Sequence, residues 1–137
     1  EWINTRYNTG IAAVATLGKE WMVGKCKRNS IGINVKNVWI GGQWDTPIDR
    51  VNSQIERKEV RDEDHPFSVR LKDFYKLDFG IKFKRNKSKY TSTLSLDLMN
   101  ASNYENIGGL TYDVQNDKIE SWTMMPLVPI ISYKVEF

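Results

Sequence analysis

The chain has 137 residues, a formal net charge of +3 and a single cysteine, Cys26, which excludes an internal disulfide. It is long enough for one domain with a core of its own. No apolar run approaches the ~20 residues that a membrane-spanning helix needs. A helical membrane protein is therefore excluded, whereas a transmembrane β-barrel is not, because its alternating strands average out as polar.

Two strands are predicted near the start of the chain, over Ile11–Val23 and Ile31–Trp39. The second alternates isoleucine and valine with glycine, asparagine and lysine. A period of two is typical of a strand with one apolar and one polar face. In the first strand, consecutive alanines and a valine interrupt the alternation, so the sequence does not show which of its side chains lie on the apolar face. The turn between them, Gly24–Ser30, is short and basic.

A long connection, Gly41–Phe74, follows these strands. It holds two prolines, and seven acidic residues lie between Asp45 and Asp64. Because it is far longer than an ordinary hairpin loop, we expect an extended loop at the surface.

The clearest strand is Tyr75–Lys84, in which aromatic and aliphatic residues alternate with four charged ones. A lysine facing lipid near the bilayer midplane would cost roughly 2–4 kcal/mol. The charged face must therefore meet water, either in a lumen or in bulk solvent. After a basic turn, Arg85–Lys89, a further strand is predicted from Tyr90 to about Asn103, with leucines on one face.

The last part of the chain is predicted to hold three more strands. Two of them lie in Asn103–Trp122, turn at Asn116–Lys118 and extend beyond the sheet. The final one, Ile130–Phe137, alternates apolar and polar residues and ends on an aromatic. Proline breaks pairing in a central strand, so Pro126 and Pro129 are assigned to the outer end of this strand.

These patterns predict an all-β chain whose main sheet has about five antiparallel strands. Short turns on one side and long loops on the other are the layout of outer-membrane barrels. In that layout the carboxy terminus is periplasmic. A last strand that ends on an aromatic residue, here Phe137, is typical of such barrels. Aromatic residues also form two bands, as in interfacial girdles. One band holds Trp21, Phe83, Tyr90 and Phe137, and the other holds Trp39, Trp44, Phe74 and Tyr75.

Six strings of the sequence resemble the closing strands of TonB-dependent outer-membrane receptors of the Bacteroidetes type, in the same order and spacing. They are Leu17–Trp21, Ile33–Lys36, Gly41–Asp49, Phe74–Lys82, Leu96–Asn106 and Pro129–Phe137. The resemblance extends from about Leu17 to the end of the chain. It is closer to receptors with a carboxypeptidase-regulatory-like amino-terminal domain than to the glycan-importing class.

The resemblance implies a larger barrel of about 22 strands with a plug in its lumen. Such a receptor imports a scarce ligand, using energy that TonB transmits through the plug. This sequence has no plug and no TonB-contacting segment, so residues 1–137 are expected to be the carboxy-terminal portion of a barrel in the bacterial outer membrane. The implied partners are the rest of that barrel and its plug, the TonB system, the barrel-assembly machinery, and membrane lipid including lipopolysaccharide.

Three groups of site residues follow from the resemblance. Tyr133, Val135 and Phe137 are assigned to the assembly signal and to the lipid face. Charged residues that face the lumen have two interpretations, contact with the plug or simple solvation of a polar interior. They are Lys76, Asp78, Lys82, Asp97, Lys134 and Glu136. Residues of the long acidic connection are candidates for ligand contact outside the cell: Asp45, Asp49, Asp62, Asp64 and His65.

The sequence offers little for catalysis or metal binding. His65 is the one histidine and lies beside Asp62 and Asp64, a grouping that suits a divalent metal but also suits a solvated loop, the interpretation preferred here. One histidine in a loop cannot provide a nucleophile, a base and an orienting group. No enzyme activity, metal or cofactor is predicted. The basic clusters lack a recognition motif, so no nucleic-acid partner is predicted.

The alternative is a soluble all-β sandwich or adhesin-like binding module. It accounts for the alternation and for the absence of helices, but not for the six strings, the two sizes of connection or the aromatic carboxy terminus. The two hypotheses differ in what covers the apolar face around Leu77–Ile81 and Leu94–Leu98: lipid in a barrel, a second packed sheet in a sandwich.

Overall fold

The computed structural model describes residues 3–24 and 28–137, which contain nine strands and one short helix. The elements are β1 Ala12–Val23, β2 Asn29–Ile40, β3 Trp44–Asp45, α1 Arg50–Glu56, β4 Val69–Arg70, β5 Phe74–Asn86, β6 Thr91–Met99, β7 Ile107–Asp113, β8 Lys118–Thr123 and β9 Val128–Glu136. The all-β prediction is thereby confirmed. No helix in the described part of the chain is long and apolar enough to cross a membrane.

The main sheet has five strands in the order β1-β2-β5-β6-β9, with β1 and β9 at its edges. These are the five predicted strands, and neighbours in the sheet follow their order along the chain. The sheet is open, since among the described residues β1 does not pair with β9. Two smaller sheets, β3 with β4 and β7 with β8, complete the strand pairing.

The register of β5, β6 and β9 keeps apolar residues opposite apolar residues. Both pairings are antiparallel, with Ile81 opposite Leu96 and Leu96 opposite Ile131. On the other face, Lys82 lies opposite Ser95, which lies opposite Ser132. Directly opposed residues share a face, so this part of the sheet has one apolar and one polar face, as predicted.

The facing of β1, which the sequence left open, follows from its contacts with β2. Glu20 and Lys82 both flank Gly32, because a Cβ added to that glycine would lie 4.0 Å from a side-chain carbon of each. Glu20 is therefore on the polar face. Side chains alternate along a strand, so Leu17 and Trp21 are on the apolar face.

The strand β6 ends at Met99, earlier than the predicted end near Asn103. Asn100 has a left-handed backbone with φ 50°, and its N–H donates to Asp78 Oδ1 at 3.0 Å instead of extending a ladder. Asparagine tolerates this conformation better than most residues. The chain therefore turns here, ahead of the predicted position.

Clustering of contacts divides the chain into two compact units. The sheet unit holds the described residues of 14–38, together with 75–104 and 125–137. The loop unit holds 3–13, 39–74 and 105–124. It contains both buried large apolar side chains of the described chain, Ile48 and Tyr112.

The helix α1 lies within the long connection, where the sequence suggested only loop. Asp49 caps it, because its side chain accepts from the Asn52 N–H at 3.0 Å, and Arg57 ends it with a left-handed φ of 51°. A helix of seven residues spans about two turns. Such a length is too short for an apolar period to show in the sequence.

The predicted hairpin near the end of the chain is present as β7 and β8, but its turn is displaced. The turn covers residues 114–117, and Lys118 already belongs to β8. Asp113 sets this position, because its carboxylate accepts from the N–H groups of Gln115 and Asn116 at 2.8 and 3.2 Å. Aspartate commonly nucleates turns in this way.

Candidate functional site

The apolar face of the five-stranded sheet is exposed. Ile131 is 74 % exposed, Leu94 48 % and Phe83 39 %. The buried residues of the sheet unit, among those described, are Ser30, Gly80 and Asn100, and none of them is apolar. The sheet unit therefore has no hydrophobic core of its own, and a face of this kind is typical of contact with a membrane or another protein.

The residues assigned to the assembly signal lie at the edge of this face. Tyr133 pairs with Leu94, and Val135 pairs with Ser92, so both side chains lie on the apolar face of β9. Phe137 follows the strand and is fully exposed. Pro129 belongs to β9 and lies opposite Leu98, and proline is tolerated there because β9 is an edge strand in this sheet.

The opposite, polar face carries the six charged residues assigned to plug contact, and four of them have partners within their own strand. Lys76 Nζ lies 3.0 Å from Asp78 Oδ2, and Lys134 Nζ lies 2.9 Å from Glu136 Oε1. Asp78 also accepts from the Asn100 N–H, as described above. Its carboxylate therefore stabilises the turn after β6 as well as facing the polar side.

Gly80 lies at the middle of the polar face. A Cβ at this position would overlap with the side chains of Asn34 on β2 and Asp97 on β6. The missing side chain lets these two polar groups approach each other across β5. The polar face thus requires a glycine at position 80 for its packing, and the alternation of the sequence does not reveal this requirement.

Four of the five residues assigned to ligand contact have side-chain partners in the loop unit: Asp45 and Asp49, and also Asp62 and His65, which contact each other. Asp45 is largely buried and accepts from the N–H groups of Thr46 and Leu110 at 3.0 and 3.2 Å. Asp49 is the N-cap of α1. Of this group, Asp64 and His65 are exposed, whereas Asp45, Asp49 and Asp62 are partly buried.

Arg61 is the centre of a polar network that the sequence did not reveal. Its guanidinium donates to the carbonyl oxygens of Thr46 and Leu110 at 2.8 and 2.7 Å, and it pairs with Glu59 at 2.6 Å and with Asp45 at 3.3 Å. The planar fork of arginine suits several acceptors at once. Arg61 therefore joins three segments of the loop unit that are far apart in sequence.

A second polar cluster closes the β7–β8 hairpin against α1. Asp117 accepts from Arg50 Nη2 at 2.9 Å and from the Tyr112 hydroxyl at 2.6 Å. The hydrogen bond from Arg50, followed by that from Tyr112, lowers the pKa of Asp117. Donation to Asp117 raises the pKa of Tyr112 in turn. These contacts stabilise the hairpin.

His65 is an exposed titratable group of the loop unit, and its Nδ1 lies 2.9 Å from Asp62 Oδ2. The hydrogen bond with Asp62 raises the pKa of His65 and lowers that of Asp62. An open cleft of about 570 Å³ lies nearby, lined mainly by charged residues between Asp49 and Asp64. Within the described chain, no three His, Cys, Asp or Glu side chains are grouped closely enough to hold a metal ion.

No family model matches this chain, and no curated protein or solved structure matches it.

The structure thus brings the assigned residues together in three separate places. The apolar residues of β9 lie on the exposed face of the sheet, the charged residues lie on its polar face, and the loop residues lie in the loop unit. Cys26, in the basic turn, lies outside the described residues.

Proposed function

We propose that this chain is the carboxy-terminal barrel segment of a TonB-dependent outer-membrane receptor that imports a scarce ligand. The observation that carries the proposal is the exposed apolar face of a sheet whose other face is polar and charged. In a soluble sandwich this face packs on a second sheet, and the sheet unit buries no apolar residue among those described. Contact with lipid accounts for the exposed apolar face, because the strands of a transmembrane barrel have apolar side chains outside and polar side chains inside.

The edges of the sheet support a larger barrel. Both β1 and β9 pair with one neighbour each, which leaves a row of backbone N–H and C=O groups on their other sides. In lipid each unsatisfied group costs several kcal/mol. The proposal therefore includes further strands of the same barrel at both edges, with β9 as the strand that the assembly machinery recognises.

The six strings quoted above support the receptor class and give the proposal its orientation. In it, the basic turns are periplasmic and the loop unit is extracellular. The polar face lines a lumen that holds the plug, through which TonB acts. Ligand contact belongs to the exposed acidic loop around Asp62–His65, and no catalytic role is assigned.

The test compares two adjacent residues of β6 that lie on opposite faces, Leu96 and Ser95. Nitroxide labels are attached at Leu96→Cys or Ser95→Cys in the natural polypeptide, with Cys26→Ser and any other cysteine removed, after reconstitution into phospholipid vesicles. Power-saturation spectroscopy then compares collisions with oxygen, which concentrates in lipid, and with a water-soluble nickel chelate.

We expect the label at position 96 to collide mainly with oxygen and the label at position 95 mainly with the nickel chelate. In a soluble sandwich, the label at position 96 would be shielded from both reagents by a second sheet. That result, or equal access of the nickel chelate to both positions, would overturn the membrane assignment.

A further inference from the structure

One end of the sheet carries a group of cations that the proposed function does not use. This basic rim consists of Arg28, Lys84, Arg85, Lys87 and Lys89. The Asn86 N–H donates to the Arg28 carbonyl at 3.3 Å, and the Lys87 N–H donates to the Tyr90 carbonyl at 2.8 Å. The start of β2 and the β5–β6 turn therefore lie side by side, which brings these cations to one edge.

The cations of the basic rim outnumber the acidic side chains beside them, since Glu136 is the one acidic side chain that lines the cleft with Lys84, Lys87 and Lys89. Within the described chain, none of its five members forms an ion pair. Glu136 forms its ion pair with Lys134 at 2.9 Å, and Lys134 contributes more than the positive charge of Lys84 to the lowered pKa of Glu136. An open cleft of about 440 Å³ lies here, lined by the β5–β6 turn and the end of β9. The basic rim is thus cationic and accessible.

Exposed aromatic residues border the basic rim on the apolar face. Phe83 and Tyr90 are 39 % and 38 % exposed on either side of the turn, and Phe137 is fully exposed beside it. Trp21 lies on the apolar face of β1, with Lys19 Nζ 5.4 Å from its ring centre. A long lysine over an aromatic ring keeps its stem on apolar surface and its ammonium towards water. This order, from apolar face to aromatic rings to cations, matches the change from acyl chains to headgroups in a bilayer.

We propose that the basic rim binds the anionic headgroups of phospholipids in the leaflet that meets this end of the sheet. The inference rests on the proposed function, because it needs a membrane around the apolar face. Phosphate oxygens suit these cations, and clustered lysines beside a membrane-spanning element attract anionic lipid. A nucleic acid would satisfy the same cations but would leave the adjoining aromatic and aliphatic face in water.

The test uses the same reconstituted polypeptide with a donor fluorophore at Ser88→Cys, in the middle of the turn. Energy transfer is measured to acyl-labelled phosphatidylglycerol or to acyl-labelled phosphatidylcholine in vesicles of equal composition. The variant K84Q/K87Q/K89Q removes three charges from the basic rim. The matched control, K58Q/K72Q/K118Q, removes three charges from lysines of the loop unit.

We expect the labelled phosphatidylglycerol to be enriched at least about fivefold over phosphatidylcholine near the turn, since a single lysine at a membrane surface contributes about that factor. The enrichment should fall several-fold in K84Q/K87Q/K89Q, in which Arg28 and Arg85 remain, and with added sodium chloride, and it should persist in K58Q/K72Q/K118Q.

Equal transfer to both lipids in the parent protein, or an equal loss in the two triple variants, would overturn the inference. So would loss of enrichment on adding inorganic phosphate beyond the effect of chloride at the same ionic strength, which indicates a site for free anions. Binding of single-stranded DNA that K84Q/K87Q/K89Q abolishes would assign the rim to nucleic acid instead. If the label at position 96 still contacts lipid, these outcomes leave the proposed function intact. If that label does not, both proposals fail.

Discussion

His65 and Asp62 form the one contact of the exposed acidic loop whose strength depends on pH near neutrality. The hydrogen bond to the Asp62 carboxylate is the main cause of the raised pKa of His65, and Asp64 contributes least. A histidine with a raised folded-state pKa adds stability that is fully present below its unfolded value of about 6.5. That stability is lost as the pH rises through the folded value. Towards acid, it is lost as the pH falls through the lowered pKa of Asp62.

We therefore predict that Asp62→Asn returns the pKa of His65 towards its ordinary value, whereas Asp64→Asn changes it much less. The measurement is a titration of the imidazole proton resonances by nuclear magnetic resonance. Because the chain has a single histidine, its signal is readily picked out after selective labelling. Equal shifts in the two variants would mean that general negative charge, and not the contact with Asp62, controls the histidine.

At the scale of elements, the Arg61 side chain joins β3 and β7, which do not pair with each other. The backbone of Arg61 forms an isolated bridge with Ile48. The guanidinium of Arg61 donates to one carbonyl group next to β3 and to another within β7. Hydrogen bonds from a charged group are stronger than those between neutral groups. The loop unit has few buried apolar side chains, so these polar contacts account for a larger share of its stability than in an ordinary domain.

We predict that Arg61→Lys lowers the free energy of opening the β7 segment by about 1–3 kcal/mol. Lysine keeps the charge but cannot reach both carbonyl groups with a planar fork. Hydrogen exchange at the Leu110 and Tyr112 amides measures this opening. Arg57→Lys is the matched control, because Arg57 is exposed and its side chain has no described hydrogen bond or ion pair. Similar exchange rates in both variants would show that Arg61 is not the joining residue.

At the scale of the whole molecule, the sheet unit has exposed apolar residues on one face and two edges that lack a second neighbour. Long exposed edges readily add strands from other chains. Association would cover both the backbone groups and the apolar face at the same time.

We predict that the 137-residue chain produced alone in detergent associates into species larger than one chain, and that it does not transport ligand. Light scattering coupled to size-exclusion chromatography measures the mass, and amide spectra report whether β-structure is present. A monomeric, stably folded chain with protected amides in β1 and β9 would contradict this prediction. It would also remove the reason for placing further barrel strands at both edges.

The alternation of apolar and polar side chains predicted most of the strands of this protein, because a period of two depends only on residues that are close in sequence. It correctly predicted the five strands of the main sheet and the apolar and polar faces around Leu96 and Lys82. It also predicted the hairpin of β7 and β8, although the carboxylate of Asp113 displaced its turn. The assignment to a receptor class stays a prediction, since it rests on the six strings and on the character of the sheet.

Only the tertiary structure decided which residues are engaged inside the molecule. The contacts of Arg61 with Leu110 and of Asp45 with the same residue join positions far apart in sequence, and such contacts leave no local period. The cap of α1 and the facing of β1 likewise depend on single hydrogen bonds and neighbours. The sequence by itself determined that the sheet has an apolar face. Among the described residues of the sheet unit, no apolar residue is buried. Burial depends on which residues meet in space, and the alternation along one strand carries no information about contacts between strands and other segments.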